Sequence, residues 1–294
     1  MSAVAPPAAP RPPAPPASPA EPPATGGSSS KAERARSPRG LAAVSTRFAT
    51  VWYRDTSVYA SNWRTNLLPP LIEPFIYLFA MGLGVGHYID TIDGVDYLSF
   101  VAPGIIATTA ILRATFECTY GSYFRMAFQS TYDAIISTPV NAEEVSLGDI
   151  FWGATRSFIN VVIVVAVLAA FGRVPLVWIP AILALQFVAG LNFGALSLRV
   201  TAKVHQTEYF NFYLSGIIFP AELLTGAFFP VSRLPEVLQL VAWVVPLTSM
   251  IDLTRAMMLG RLRWASLLEL AYILVTTVIF TEVALRAMRR RLIQ

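Results

Sequence analysis

Apolar residues in this chain fall in long unbroken runs rather than at the spacing of a half-buried helix. A run of roughly 18 or more apolar residues is long enough to cross a bilayer as a helix, because about 20 residues at 1.5 Å rise match the hydrocarbon thickness. Helices also satisfy their own backbone hydrogen bonds where water is absent. Six runs are predicted to span: Leu67 to Gly86, Tyr97 to Tyr120, Ile150 to Phe171, Leu176 to Leu198, Tyr209 to Phe229 and Trp264 to Leu285. A further apolar stretch, Leu234 to Leu259, is broken by Pro235, Pro246, Asp252 and Arg255. It reads as re-entrant or interfacial helices before the last span, with a seventh span as the alternative. The predicted fold class is all-α integral membrane.

Two different textures precede the first run. Residues 1–40 hold half of the chain's 22 prolines, mixed with Ala and Ser and almost no bulky apolar side chain. Such a segment cannot bury enough surface to offset its ordering entropy, and a disordered cytoplasmic tail is predicted. It has no apolar h-region and is not expected to be a cleavable signal peptide. Residues 41–66 are patterned instead. Val44, Phe48, Val51, Trp52, Tyr59 and Trp63 recur at helical spacing, with Arg47, Arg54, Ser57 and Ser61 on the other side. This predicts an amphipathic helix lying in the inner interface, ended by Asn66 and the Pro69-Pro70 pair. The transmembrane domain proper is then 67–294.

Charge sets the orientation. Only 14% of residues are charged against 55% hydrophobic, too few to cover the surface of a soluble domain of this length. Arg11, Lys31, Arg34, Arg36, Arg39, Arg47, Arg54 and Arg64 all precede the first run. The first loop has no Lys or Arg and carries Asp90, Asp93 and Asp96, while Arg286, Arg289, Arg290 and Arg291 follow the last run. The positive-inside rule therefore predicts both termini in the cytoplasm, a parity that six spans satisfy and seven do not. Arg233, Arg255, Arg261 and Arg263 run mildly against it, in a long segment less bound by the rule. A pI near 9.3 follows from this topology and calls for no nucleic acid.

Several chemistries are excluded by what the chain lacks. Its one cysteine, Cys118, forms no internal disulfide, and one thiol with two distant histidines, His87 and His205, builds no metal centre. A P-loop needs Lys followed by Ser or Thr, but Lys31 precedes Ala and Lys203 precedes Val. If ATP drives this protein, another subunit binds it, and no cofactor is expected in this chain. Ion-coupled transport is the competing reading and wants ionisable groups within the bilayer. Arg113 and Glu117 stand four apart on one face of the second run, where they neutralise each other in cis or bond to a neighbouring helix. Glu73, Glu222, Glu269 and Glu282 are further intramembrane or end-of-span acids. A membrane protease would want a Gly-x-Ser-x-Gly-like serine with a membrane histidine, or two membrane aspartates. Catalysis is not expected here.

With these elements placed, three blocks carry a resemblance. The first is Tyr97-Leu-Ser-Phe-Val-Ala-Pro-Gly-Ile-Ile-Ala107. The second runs from Ala114-Thr-Phe-Glu117 through Tyr132-Asp-Ala-Ile-Ile-Ser-Thr-Pro-Val140 to Leu147-Gly-Asp149. The third is Gly226-Ala-Phe-Phe-Pro-Val-Ser-Arg-Leu-Pro235 with Pro246-Leu and Ile251-Asp-Leu-Thr-Arg255. In this order and between these spans they resemble the ABC-2 type permeases, membrane subunits of ATP-binding-cassette exporters, over roughly residues 45–290. Glu73-Pro74 and the block Ala114 to Glu117 are most similar to the permeases of nodulation-factor (lipo-oligosaccharide) exporters. The long Pro-rich tail and Arg113 depart from that subgroup.

The resemblance implies a cytoplasmic ATPase partner holding ATP and Mg, a complex of two permeases with two ATPases, and a substrate with a lipid or amphipathic part. An ATPase-independent ion-coupled transporter or flippase is the first alternative; a drug-type exporter of the same family and a membrane scaffold are the others. It also implies a coupling helix in the loop 129–145, where Asp133, Glu143 and Glu144 are the acidic positions and Pro139 ends the helix. Arg199 and Lys203, in the next cytoplasmic loop, are the second candidate contact, and either the ATPase or lipid headgroups would suit them. Tyr120, Tyr123 and Phe124, with Tyr209, Phe212 and Tyr213, are candidates for lining a saccharide path, against ordinary interfacial anchoring. Asp252 and Arg255, three apart at the outer re-entrant region, are expected to pair across its rim.

Overall fold

The computed structural model describes residues 40–293 apart from 65, 67–71, 73, 74, 77, 78, 81–83, 90 and 93. The predicted tail and most of the first span, with Glu73 and Pro74, lie outside the described residues. Among those residues the regular structure is helical but for a small hairpin, β1 (Thr91–Ile92) paired antiparallel with β2 (Val95–Asp96).

After the amphipathic helix α1 (Phe48–Ser61) and the hairpin, α2 (Tyr97–Phe116) begins where Asp96 accepts a hydrogen bond from the Ser99 backbone N–H. A π-helical turn, Glu117–Gly121, links α2 to α3 (Ser122–Ala127), so that Tyr97–Ala127 is one apolar rod of 31 residues. The short surface helix α4 (Thr131–Ile136) follows, entered through Ser130 in the left-handed region at φ 49°. Two long helices come next, α5 (Ala142–Ala170) and α6 (Ile179–Thr201), joined at a turn through Gly172.

The fifth predicted span is a helical run in three pieces: α7 (Glu208–Tyr213), a π turn Leu214–Ile218, and α8 (Phe219–Leu224). The proline-broken stretch forms α9 (Glu236–Val244) and α10 (Pro246–Met258), bent by 86° at Val245. Val245 is extended and Pro246 starts the second helix, the position where its missing N–H costs nothing. Finally α11 (Trp264–Leu292) closes the chain. Among the described residues four helices are long and apolar enough to cross a membrane, or five if the bent pair counts as one.

At the centre is α2, packed against α5, α6 and α10; α11 lies outermost, against α6, α5 and α10. The difference matches burial. The apolar window of the Tyr97–Ala127 rod is 72% buried and that of α11 only 17%, leaving Leu268, Val275 and Val278 outward. Close approach of the central helices depends on glycine at one seam. Cys118 is fully buried there, and a Cβ on Gly153 of α5 would stand 2.6 Å from its sulfur. A thiol fills the space that two close helices leave.

The predicted apolar face of α1 is seated on α5. Val51 is buried, Phe48 meets Phe151 at 5.1 Å, Tyr59 meets Trp152 at 5.4 Å, and the Trp52 indole donates to Thr155 at 2.9 Å. Trp63, predicted on the same face, is exposed.

Candidate functional site

The end of the bundle where α1, the π turn and the first half of α5 converge holds a cluster of buried charge. It is built from the π turn outward. In an unbroken α-helix, Glu117 and Arg125 would be about 80° out of phase, eight residues at 100° each. The π turn inserts one surplus residue, so the interval acts as the seven of two whole turns and Arg125 comes beneath Glu117. Arg125 Nη1 then donates to Glu117 Oε1 at 2.6 Å and Nη2 to Asp149 Oδ2 at 3.1 Å. On α5, Asp149 and Arg156 are seven residues apart and face the same way. Arg156 donates to Glu117 Oε2, and the Trp152 indole donates to Glu117 Oε1 at 2.9 Å. Glu117 and Asp149 are 3% and 0% exposed, so both carboxylates depend on these guanidinium groups.

Of the two arrangements expected for Glu117, a pair in cis with Arg113 or a bond to a neighbouring helix, the second is the one found. Glu117 spends its two carboxylate oxygens on Arg125, Arg156 and Trp152 and so bonds chiefly to the neighbouring helix; Arg113, one turn before it, is half-buried.

One buried side chain joins the cluster to the surface helix α4. Tyr132 of α4 is 1% exposed and donates its hydroxyl to Asp149 Oδ2. Burial, and then the Asp149 carboxylate, push this phenol well above its usual range, so it stays a donor across the neutral range. Its neighbour Asp133 is exposed, as are Ala134, Ser137 and Thr138.

Glu143 and Glu144 do not join that exposed face. Glu143 is 2% exposed and accepts from Arg289 of α11 at 2.8 Å. Glu144 is 1% exposed, receives the Asn141 backbone N–H at 2.8 Å at the start of α5, and accepts from both the backbone and hydroxyl of Ser45. The expectation that these two acids present charge to a partner is corrected: they tie α5 to the last helix and to the segment before α1. A capping pattern, Asn141 followed three residues later by Glu144, was the signal available for it.

The remaining predicted residues scatter. Arg199 and Lys203 line a separate groove of about 570 Å³ with Arg286 and Arg290. Tyr120 donates to Asn211 at 2.9 Å and packs edge-on to Phe210. Tyr123 and Tyr213 are buried, with hydroxyls committed to the His205 carbonyl and to Ser197, so neither lines an open path. Phe124, Tyr209 and Phe212 are exposed. At the other end of the bundle the expected Asp252–Arg255 pair gives way to Asp252 with Arg263 at 3.5 Å. Arg255 instead turns inward, donating to the Gly226 carbonyl at 2.7 Å with its guanidinium 4.1 Å over the Phe100 ring.

Beside the charge cluster is a cavity of about 760 Å³, walled by α1 on one side and by the π turn, α3 and α5 on the other. Tyr120 and Phe124 of the predicted path line it, with Tyr59 and Trp152. Asp55, Arg125, Trp152 and Arg156 carry no signal of this site in the sequence, and Arg54 reads there only as a cation on the polar side of α1. Arg125 and Arg156 look there like ordinary cations near a span end, and only the seven-residue spacing of Asp149 and Arg156 marks a shared face.

Comparison with known proteins adds the following. The family model for the ABC-2 type transporter matches residues 46–259. Nodulation protein J of Rhizobium meliloti is 36% identical over 222 residues, 75% of this chain and 84% of that protein. The protein of the same name from Rhizobium leguminosarum bv. viciae is 34% identical over 256 residues, 86% and 98% of the two chains. The inner membrane transport permease YadH of Escherichia coli is 25% identical over 215 residues, 72% and 82%.

Proposed function

Because the chain belongs to the ABC-2 type transporter family, we propose that it is the permease half of an ATP-driven exporter that moves a lipid-linked or amphipathic substrate outward across the inner membrane. In this reading both termini are cytoplasmic. The run Leu67 to Gly86 and the pieces from Glu208 to Leu224 complete six spans, α1 lies in the inner interface, and α9 and α10 re-enter from outside. Two copies work with two ATPase subunits that carry ATP and Mg. A lipo-oligosaccharide is the substrate class that the likeness to the nodulation proteins favours.

One observation supports the coupling mechanism: α4 is the exposed helix whose buried Tyr132 leads into the Asp149–Arg125–Glu117 cluster. A push on Asp133 and its neighbours is thereby felt on α2 and α5 together. The ion-coupled alternative wants a carboxylate at liberty to exchange its proton; the two at this cluster, Glu117 and Asp149, are instead held by guanidinium groups. The test is reconstitution of the chain with an ABC ATPase subunit from the same organism. ATP turnover raised by a lipid-linked saccharide is expected. Turnover raised only by hydrophobic drugs would move the protein to the drug-type exporters, and failure to bind any ATPase would overturn the exporter reading.

A further inference from the structure

The cavity beside α1 has three properties that together define a ligand chemistry. First, its guanidinium groups are already matched. Arg54 pairs with Asp55, Arg156 with Glu117, and Arg125 with Glu117 and Asp149. A phosphate or other anion entering there would meet cations whose charge is spent, and would face the carboxylates as well.

Second, three residues of its wall carry buried polar atoms, just behind the lining, that lack partners of their own. Asp55 is only 5% exposed, and its Oδ2 is buried without a hydrogen bond; so are the Tyr59 hydroxyl and the Arg125 Nε–H. These are an acceptor, a group that both donates and accepts, and a donor. A hydroxyl is the simplest group able to answer all three, since it gives one proton and takes two. The amides of Asn62, Asn66 and Gln129 on the same wall offer further pairs of donor and acceptor.

Third, the remaining wall is aromatic. Tyr59, Tyr120, Phe124 and Trp152 contribute flat faces, and polar tips where they carry them. At about 760 Å³ the cavity falls within the ~300–1,000 Å³ of small-molecule sites. Val58 and Phe124, both exposed, form an apolar rim.

We propose that this cavity binds the uncharged saccharide head of a glycolipid, with the lipid tail leaving over the Val58–Phe124 rim into the bilayer. The proposal rests on the exporter reading for its cargo and goes further by assigning the cargo's head group to named residues. As the wall side chains turn to admit the head, Asp55 Oδ2, the Tyr59 hydroxyl and Arg125 Nε–H bond sugar hydroxyls, and the Tyr59 and Trp152 rings pack against the apolar faces of the sugar rings.

The test uses the full chain in nanodiscs of phosphatidylethanolamine, with a fluorescent diglucosyl diacylglycerol as probe. Saturable binding is expected, weakened about tenfold by Tyr59→Phe, which removes one oxygen and the hydrogen bond it makes, and by Asp55→Asn. Tyr53→Phe, on the exposed side of α1, leaves it unchanged. Competition by unlabelled diglucosyl lipid but not by phosphatidylglycerol supports the proposal. Equal competition by phosphatidylglycerol overturns it, as does equal binding by wild type and Tyr59→Phe. Should Asp55→Asn misfold, judged by circular dichroism and gel filtration, Tyr59→Phe carries the test alone. ATPase capture is measured on the same nanodiscs. Capture without glycolipid binding sinks this proposal only; glycolipid binding without capture sinks only the exporter reading.

Discussion

The Tyr132 hydroxyl and the Arg125 guanidinium meet on one oxygen, Oδ2 of Asp149, so a surface helix and the end of a membrane-length rod share a single anchor on α5. The anchor is buried, and neither donor is replaceable by water without opening the bundle.

Tyr132→Phe keeps the ring and removes that hydrogen bond. A loss of about 1–3 kcal/mol is expected, because a buried carboxylate loses one of its donors. In the reconstituted exporter the ATPase should still bind, while stimulation of ATP turnover by substrate falls. ATPase binding and turnover measured side by side check this, and unchanged stimulation would remove α4 from the coupling path.

Glu117→Gln leaves Arg125 and Arg156 facing each other across a neutral amide. Removing one member of a buried ion cluster costs about 3–5 kcal/mol, and the folded fraction in detergent should drop accordingly. Adding Arg156→Gln should recover part of the loss, since the two changes meet in one contact. Thermal unfolding of the single and double variants measures the coupling.

Gly153→Ala places a methyl group 2.6 Å from the Cys118 sulfur. Overpacking of this kind costs about 1–3 kcal/mol, and Cys118→Ala in the same chain should relieve most of it. The buried thiol should also resist maleimide in the folded protein and react after denaturation. Labelling and melting of the three chains check both statements.

Asp133→Lys reverses a charge on an exposed position and should change stability by no more than about 0.5 kcal/mol while weakening ATPase binding. Glu144→Ala is expected to do the opposite. It removes a helix cap and the tie to Ser45, at a loss of about 0.5–2 kcal/mol, with ATPase affinity preserved in whatever protein remains folded. Pull-down with the ATPase, normalised to folded protein, separates the two.

The contrast between those acids shows what could be read from the sequence. The helices α5, α6 and α11 follow from apolar runs and helical period, and the break at Val245 follows from Pro246. Rules that act within one helix stop there. Arg113 is the nearest cation to Glu117 by spacing, but the π turn resets the phase and brings Arg125 into line instead. Arg156 and Trp152 arrive from another helix, which no local pattern announces. Glu143 reads from sequence as one more acid of the loop 129–145; its partner, Arg289, is 146 residues away.

The segment from Arg125 to Tyr132 is a loop closed at both ends on the same carboxylate. In mechanical terms it is a truss rather than a tether: displacement of α4 cannot be taken up as slack in residues 126–131 and is passed to α5 at the point where α5 leaves the surface. A machine driven from outside the membrane gains from such stiffness that a short stroke on one face arrives undiminished among the spans.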